Sequence, residues 1–300
     1  MKILHIVENL DNSYGGPARS VPLLVKYLDK ENTENKIFTI QVYDNESNLV
    51  LEQNDLGVIK LPLEGMKKIK YSSKLENAIV KEITHDTVIH VHSVWTYPAY
   101  VGFKIAKKYN IPLVVSTRGT IYSWALNQRK FIKNIAMWLF QKNMLKTADV
   151  IHITEPNEKK ALVDIDIDND TILIPNGIEL YNKFDELDDN ILYKINYDKS
   201  KRYIMFLGRI VHNKGLHYLI DSYDKLKDKY SDVEVLVVGG VEDQGYFDDL
   251  DKVDGVYFLG TLDGIQKHTI FSISNILVLP SITENFGMAI AESMSYKIPV

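Results

Sequence analysis

Glu284 and Glu292 stand with seven residues between them, across a segment that reads Pro280-Ser281-Ile282-Thr283-Glu284-Asn285-Phe286-Gly287 and then turns helical. An apolar run, Asn275 to Leu279, ends at the proline. The first N–H groups of a helix have no partner within it and carry a partial positive charge, which suits a diphosphate. Here those groups would be the N–H groups from Phe286 to Met288, with Asn285, Phe286 and Gly287 forming the donor-facing turn. Glu284, in the loop, could accept from sugar hydroxyls. Glu292, two turns in, could reach ribose hydroxyls. The segment offers a phosphate cradle between two diol-binding carboxylates, which is what a nucleotide sugar requires.

A second set follows another apolar run: Leu207-Gly208-Arg209-Ile210-Val211-His212-Asn213-Lys214-Gly215. Gly208 permits close approach. Arg209 and Lys214 supply a planar fork and a mobile point charge. Cations at a helix start oppose its dipole, so their presence points to a bound anion such as a leaving diphosphate. Two solvated surface cations are the plain alternative. Tyr14-Gly15-Gly16-Pro17-Ala18-Arg19 lies between the first strand and the first helix. A glycine pair there lets a loop approach a ligand at the carboxyl edge of a sheet. A tight strand-to-helix turn explains it equally well. It is not Gly-x-Gly-x-x-Gly, so a dinucleotide site fits poorly.

Three further stretches carry chemistry-capable residues. His90-Val91-His92 reads as an alternating strand with its two imidazoles facing opposite ways, unable to chelate one metal, and with His92 the better candidate to line a cleft. A hydrogen-bonded core histidine is the competing reading. Asp164-Ile165-Asp166-Ile167-Asp168-Asn169-Asp170 contains Asp-x-Asp patterns that could hold a hard cation, but an acidic helix-to-strand loop accounts for it better. From Trp124 to Lys146 the bulky apolar residues are interleaved with Arg129, Lys130, Lys133, Lys142 and Lys146, with no acid between them. Lys60, Lys67, Lys68, Lys70 and Lys74 add charge in the same half. This suits a basic amphipathic helix on an anionic membrane surface, or a core-packed helix with a solvated face.

Short apolar runs alternating with amphipathic stretches must position these groups, the pattern of parallel sheets covered by helices. Strands are expected at Lys2–Val7, Ile37–Tyr43, Val88–His92, Pro112–Ser116, Val150–Ile153 and Thr171–Ile174. Helices are expected at Pro17–Leu28, Leu75–Ile83, Ala99–Lys108 and Phe131–Leu145. A second series runs Tyr203–Leu207, helix Gly215–Leu226, Glu234–Val238, Val256–Leu259, helix Gly264–Ile273, Asn275–Leu279 and the helix after Gly287. Three hundred residues exceed one core. Residues 1–178 form one expected domain, 179–200 a polar linker, and 201–300 a second. The first half, 1–150, carries 20 Lys+Arg against 14 Asp+Glu, a net +6, and the second 15 against 26, a net −11. Only the first half suits an anionic partner. The absence of cysteine excludes a disulfide framework and a thiolate metal site. No apolar run spans a bilayer and no signal peptide is visible. These features favour the cytoplasm, with the basic stretch available to an inner membrane face. Lys297-Ile298-Pro299-Val300 reads as the start of a strand, so the second domain is expected to continue.

Taken together, Gly15-Gly16, Pro175-Asn176-Gly177, Gly208-Arg209 with Lys214-Gly215, Val237-Val238-Gly239-Gly240, Phe258-Leu259-Gly260 and Pro280 through Glu292 resemble glycosyltransferase family 4, retaining enzymes of the GT-B fold. The resemblance runs over essentially the whole chain. It implies an α/β architecture of two Rossmann-like domains with parallel sheets facing across a cleft, the first binding acceptor and the second the nucleotide sugar. It implies that Arg209 and Lys214 hold the diphosphate, Glu284 the transferred sugar and Glu292 the ribose, and that Gly260-Thr261-Leu262 lies near the base. Two departures stand out. Arg118, in Ser116-Thr117-Arg118-Gly119-Thr120, occupies the place where the family has a sugar-contacting histidine, and Lys297 replaces its glycine before the last Pro-Val.

The expected function is transfer of a sugar from a nucleotide diphospho-sugar to an acceptor hydroxyl, with retention and with no metal or cofactor. The acceptor is a sugar or lipid-linked sugar, in bacterial surface polysaccharide or glycolipid synthesis. Glu284, Arg209 and Lys214 are the catalytic candidates. Gly15, Gly16, Gly208, Asn285, Phe286, Gly287, Glu292, Thr261 and Leu262 are the donor-binding candidates, and His92 and Arg118 the sugar or acceptor contacts. No side chain stands out as a base, and no nucleic-acid partner is expected. The alternatives are an epimerase or phosphorylase of the same fold, or a non-catalytic nucleotide-sugar-binding protein.

Overall fold

The computed structural model describes residues 1–11, 15–41, 56–65, 69–127, 136–179 and 186–300, except the side chains of Trp124 and Trp138. The chain divides into two compact units, Met1–Gly177 and Ile178–Val300.

In the first unit, seven strands pair in parallel: β1 (Lys2–Val7), β2 (Glu34–Gln41), β3 (Val58–Pro62), β4 (Thr87–His92), β5 (Leu113–Ser116), β6 (Val150–Ile153) and β7 (Thr171–Leu173). Their order is β3-β2-β1-β4-β5-β6-β7. β1 is buried along its whole length, as expected when helices cover both faces of a parallel sheet. Leu4, Ile6, Ile89, Val91, Val115 and Ile151 form one core with Val101, Phe103, Ile105 and Ala106 of the helix Tyr97–Tyr109. Val7 and Ile37 form another with Val21 and Val25 of the helix Gly16–Leu28.

The second unit has four parallel strands, β8 (Arg202–Leu207), β9 (Val233–Val238), β10 (Val256–Gly260) and β11 (Ile276–Leu277), in the order β10-β9-β8-β11. In each sheet the chain builds outward on one side of its first strand and then crosses to the other. The strand order therefore reverses between β1 and β4, and again between β8 and β11. In open α/β sheets such reversal points, at the carboxyl edge, are where ligands bind.

Several expectations differ from what is found. The stretch 179–200 is not simply a linker: the Asp188 carboxylate caps a helix, Asp189–Lys194, and Ile191 and Ile195 are buried in the core of the second unit. β3 and the short helices Asn157–Val163 and Gln244–Asp248 have no counterpart in the sequence reading. In place of a uniform α-helix to Leu145, a π-turn, Met137–Gln141, precedes an α-helix, Lys142–Thr147. Of the expected membrane-facing cations, Arg129, Lys130 and Lys133 lie outside the described residues, as do Lys67, Lys68, Tyr14 and Tyr43. Lys142 pairs with Asp166 at 3.0 Å, which also engages the Asp-x-Asp stretch in a surface ion pair. No helix among the described residues is long and apolar enough to cross a membrane.

Candidate active site

Two sequence motifs meet at the carboxyl edge of the second sheet. β8 runs into Gly208-Arg209, a single 3-10 turn (His212–Lys214) and the helix Leu216–Asp224. Its neighbour β11 runs into Pro280–Gly287 and the helix Met288–Ser295. Main chain joins the two loops: the Ile282 N–H donates to the Asn213 carbonyl at 2.9 Å. They approach because residue 215 is glycine. Its φ is +67°, and a Cβ there would lie 2.0 Å from the Pro280 carbonyl oxygen. Across this junction Lys214 Nζ lies 2.6 Å from Glu284 Oε2. Gly287, at φ +73°, opens the following helix, and no side chain caps its first turn. Its first N–H groups are left to whatever lies in front of them.

The other donor-side candidates are placed differently. Arg209 is not turned toward that pair; its Nη1 donates to the Glu242 carboxylate, in the loop after β9. Glu292 is buried, and Lys267 Nζ sits 2.8 Å from both its oxygens. That lysine, on the helix Gly264–Ile273, was not found from the sequence, because only the fold brings it to Glu292. Thr261 is exposed just after β10. Leu262 follows it with its side chain buried in the hydrophobic core, which leaves its main chain to meet a ligand.

The first sheet carries a buried polar seam. His90 and His92 are two residues apart on β4 and therefore face the same side, with ring centroids 3.9 Å apart. This corrects the expectation that they face opposite ways. His5 on β1 joins them, its Nδ1 3.0 Å from His92 Nε2. His90 Nε2 lies 2.8 Å from Ser116 Oγ on β5, which lies 2.8 Å from His152 Nδ1 on β6. By distance alone His5, His90 and His92 could hold a metal ion. The wiring argues otherwise. Arg118 can only donate, so His92 Nδ1, 3.0 Å from its Nη2, accepts. His92 Nε2–H must then donate to His5 Nδ1, and His5 Nε2–H to Asn35 Oδ1 at 3.2 Å. At the other end, the Ile174 carbonyl can only accept from His152 Nε2 at 2.8 Å. That fixes Ser116 as donor to His152 and His90 as donor to Ser116. The lone pairs that His5 and His92 could offer a metal are used, and a guanidinium stands beside them.

Each of these imidazoles is held neutral. Burial is the largest cause, and it pushes His5 down to about 4 and His90 and His92 well below the ordinary value, with neighbouring cationic groups adding to it. Burial lowers His152 as well. Between those values and the ordinary 6.5, the unfolded chain binds protons that the folded one refuses, so stability falls as pH falls. Glu8, at the end of β1, has the opposite sign. Burial raises it to about 7, against Lys70 and a Thr96 hydrogen bond, so it gains stability on acidification between about 4.5 and 7. Four histidines outweigh one glutamate. We expect the unfolding free energy from denaturant titrations to fall between pH 6.5 and 4, by up to about 1.4 kcal/mol per pH unit for each histidine that charges only on unfolding. A flat profile over that range would contradict the wiring.

Glu8 is itself a group the sequence reading passed over. It lies where β1 ends, at the reversal point, and its carboxyl exchanges protons near neutrality. Gly15 and Gly16 follow it and open the helix Gly16–Leu28. The loop after β4 is strained, with φ +73° at Ser93 and +78° at Trp95. The Trp95 N–H is held by Gln141 Oε1 at 3.0 Å and its indole by the Thr120 carbonyl at 3.0 Å. Gln141 belongs to the π-turn, an irregularity frequent at functional sites. His92 is buried with both nitrogens engaged, one by His5 and the other by Arg118, which it supports.

Two Rossmann-like units with parallel sheets, each with polar loops at its reversal point, define a GT-B protein. The profile of Glycosyltransferase Family 4 matches residues 14–181, and that of Glycosyl transferases group 1 matches residues 188–300. The chain belongs to glycosyltransferase family 4. It is 26% identical to the capsular polysaccharide biosynthesis glycosyltransferase CapM of Staphylococcus aureus, over all of this chain and 78% of that one. Two further curated relatives, 25% and 24% identical, match over 71% and 78% of this chain and 56% and 65% of their own lengths. Among solved structures, sucrose-phosphate synthase from Thermosynechococcus elongatus superposes with a TM-score of 0.76 at 21% identity, over all of this chain and 80% of that one. Anabaena Alr3699/HepE, in complex with UDP-glucose, superposes with a TM-score of 0.73 at 17% identity, over all of this chain and 79% of that one.

Proposed function

We propose that this chain transfers a sugar from a nucleotide diphospho-sugar to an acceptor hydroxyl, with retention and without a metal ion, in the synthesis of a bacterial surface polysaccharide or glycolipid. The observation that carries this reading is the Lys214–Glu284 contact beside the uncapped Gly287 turn. It brings a lysine, a carboxylate and the uncapped start of a helix to one sheet edge, groups suited to a diphosphate and to sugar hydroxyls. CapM and the UDP-glucose complex of HepE support the class of donor and product. In the reaction the acceptor oxygen bonds the anomeric carbon as the bond from that carbon to the phosphate oxygen breaks. The acceptor's proton passes to a donor phosphate oxygen. Charge growing on the leaving diphosphate is met by Lys214, by Arg209 once released from Glu242, and by the N–H groups at Phe286 to Met288. Glu292 holds the ribose and Glu284 the transferred sugar.

Thermal unfolding against UDP-, GDP- and ADP-sugars tests the donor. The right one, at a hundredfold excess over its Kd, is expected to stabilise the protein by about 2.7 kcal/mol. Glu284→Gln is expected to lower turnover about tenfold or more while leaving nucleotide affinity within about twofold, because a lost charge-assisted hydrogen bond is worth about 1.5–3 kcal/mol. Unchanged turnover in Glu284→Gln would remove that carboxylate from the mechanism. A free sugar as product would instead identify an epimerase-like or hydrolytic reaction.

A further inference from the structure

Arg118 is a cation that makes no ion pair among the described residues. Its Nη1 donates to Ser20 Oγ at 3.2 Å and to Asn176 Oδ1, and its Nη2 to His92 Nδ1 at 3.0 Å. All three partners are neutral. Its Nε–H is buried with no partner among the described residues. The nearest acid, Glu158, is already saturated. One of its oxygens accepts from Thr117 Oγ1 and the Gly119 N–H, the other from the Thr154 N–H and Oγ1. A guanidinium has five N–H donors in a fixed fork that matches a carboxylate or phosphate. Desolvating such a charge beside neutral partners alone is costly, unless a further anion completes the site.

The side chain is also held in place. Arg118 sits at φ +52°, a left-handed conformation that a residue with a long side chain rarely adopts. The residues on either side, Thr117 and Gly119, are both clamped by Glu158. Its three partners come from three places at the carboxyl edge: β4 (His92), the helix after β1 (Ser20) and the segment after β7 (Asn176). The one-way hydrogen bonds of the histidine seam keep His92 an acceptor toward it. Arg118 nonetheless retains partial exposure.

We infer that Arg118, preorganised by Glu158, Asn176, Ser20 and His92, binds an anionic oxygen group carried by a sugar substrate, a carboxylate or a phosphate. This rests on the transferase reading above, and it narrows the substrates to those with a charge beyond the donor diphosphate. The charge could belong to a carboxylated sugar or to a phosphorylated acceptor. Glu158 acts as a positioning residue through the loop it clamps.

The test is a titration of the whole chain, saturated with UDP, against inorganic phosphate and separately against glucuronate, followed by thermal shift and calorimetry. At least one anion is expected to bind alongside UDP. A phosphate response points to a phosphorylated acceptor and a glucuronate response to a carboxylated sugar. Arg118→Gln is expected to weaken that binding by about tenfold or more, since a charge-assisted bond is worth about 1.5–3 kcal/mol, and Arg118→Lys by less. Lys214→Ala, titrated without nucleotide, is expected to keep the response. Failure of UDP to bind excludes a uridine donor alone and leaves this inference to the Lys214→Ala arm, which needs no nucleotide. If Arg118→Gln does not fold, the wild-type protein is treated with phenylglyoxal and the modified arginines are mapped by mass spectrometry. Arg118 is expected to react slowly and to be protected by the same anion. No anion binding in either arm, binding unchanged in Arg118→Gln, binding displaced by UDP, or an Arg118 that the anion does not protect would each overturn the inference.

Discussion

Lys214→Ala is expected to lower kcat by about 10²–10³-fold, the range seen when one donor to a developing oxyanion is removed. The effect falls on the chemical step because negative charge on the leaving diphosphate grows in the transition state. Nucleotide Kd is expected to rise much less. The structure adds a condition. Lys214 now holds Glu284 at 2.6 Å, so Lys214→Ala also frees that carboxylate next to an incoming diphosphate. The double variant Lys214→Ala/Glu284→Gln is therefore expected to fall short of the product of the two single effects. Arg209 begins from the Glu242 carboxylate, so Arg209→Ala is expected to act in the same direction. Single-turnover kinetics separates chemistry from binding. An unchanged single-turnover rate in Lys214→Ala would take this edge out of the catalytic mechanism.

The second large effect is on stability. Glu292 and Lys267 form a buried pair, with side-chain exposures of 9% and 3%. Removing one partner of a buried pair leaves an uncompensated charge and costs about 3–5 kcal/mol. Glu292→Ala is expected to lose that much in urea unfolding, before any question of ribose binding arises. Glu292→Leu combined with Lys267→Met removes both charges and is expected to recover most of the loss. If nucleotide binding disappears in that stable double variant, Glu292 serves the ribose as well as the fold. If the single variant unfolds like the wild type, the pair contributes nothing and the carboxylate is free for ligand.

What the sequence disclosed follows from the range of each interaction. β1 and β6 were readable to their observed ends, because a short, mainly apolar run flanked by polar residues has one solution inside a covered sheet. β3 was not, since Val58-Ile59-Lys60-Leu61-Pro62 carries a lysine and ends in proline, which an edge strand tolerates. The helix Asp189–Lys194 was hidden because six residues hold too few apolar positions to show a period. Its one local signal was Asp188, whose carboxylate accepts from the Ile191 N–H. The two loops around Lys214 and Glu284 were legible as motifs, and their meeting required only that β8 and β11 be neighbours. The histidine seam was not legible. Its members come from four strands, and only register aligns them. For His90 and His92 the two-residue period was misapplied. Lys267 and Glu292 are likewise ordinary helical charges until the helices pack.

The Lys214–Glu284 ion pair also has a consequence for the order of events. On the roles proposed above, the carboxylate assigned to sugar hydroxyls is occupied by the lysine assigned to phosphate, so each group keeps the other out of service. A neutral sugar arriving alone must compete with a cation for Glu284. A diphosphate takes the cation away and leaves the carboxylate open. With those roles the site would act as an ion exchanger with a logical condition: the sugar is read only after the phosphate has been counted. Free glucose is expected to bind this protein more tightly when UDP is present than when it is absent. Equal affinity in the two states would show that the pair imposes no such sequence.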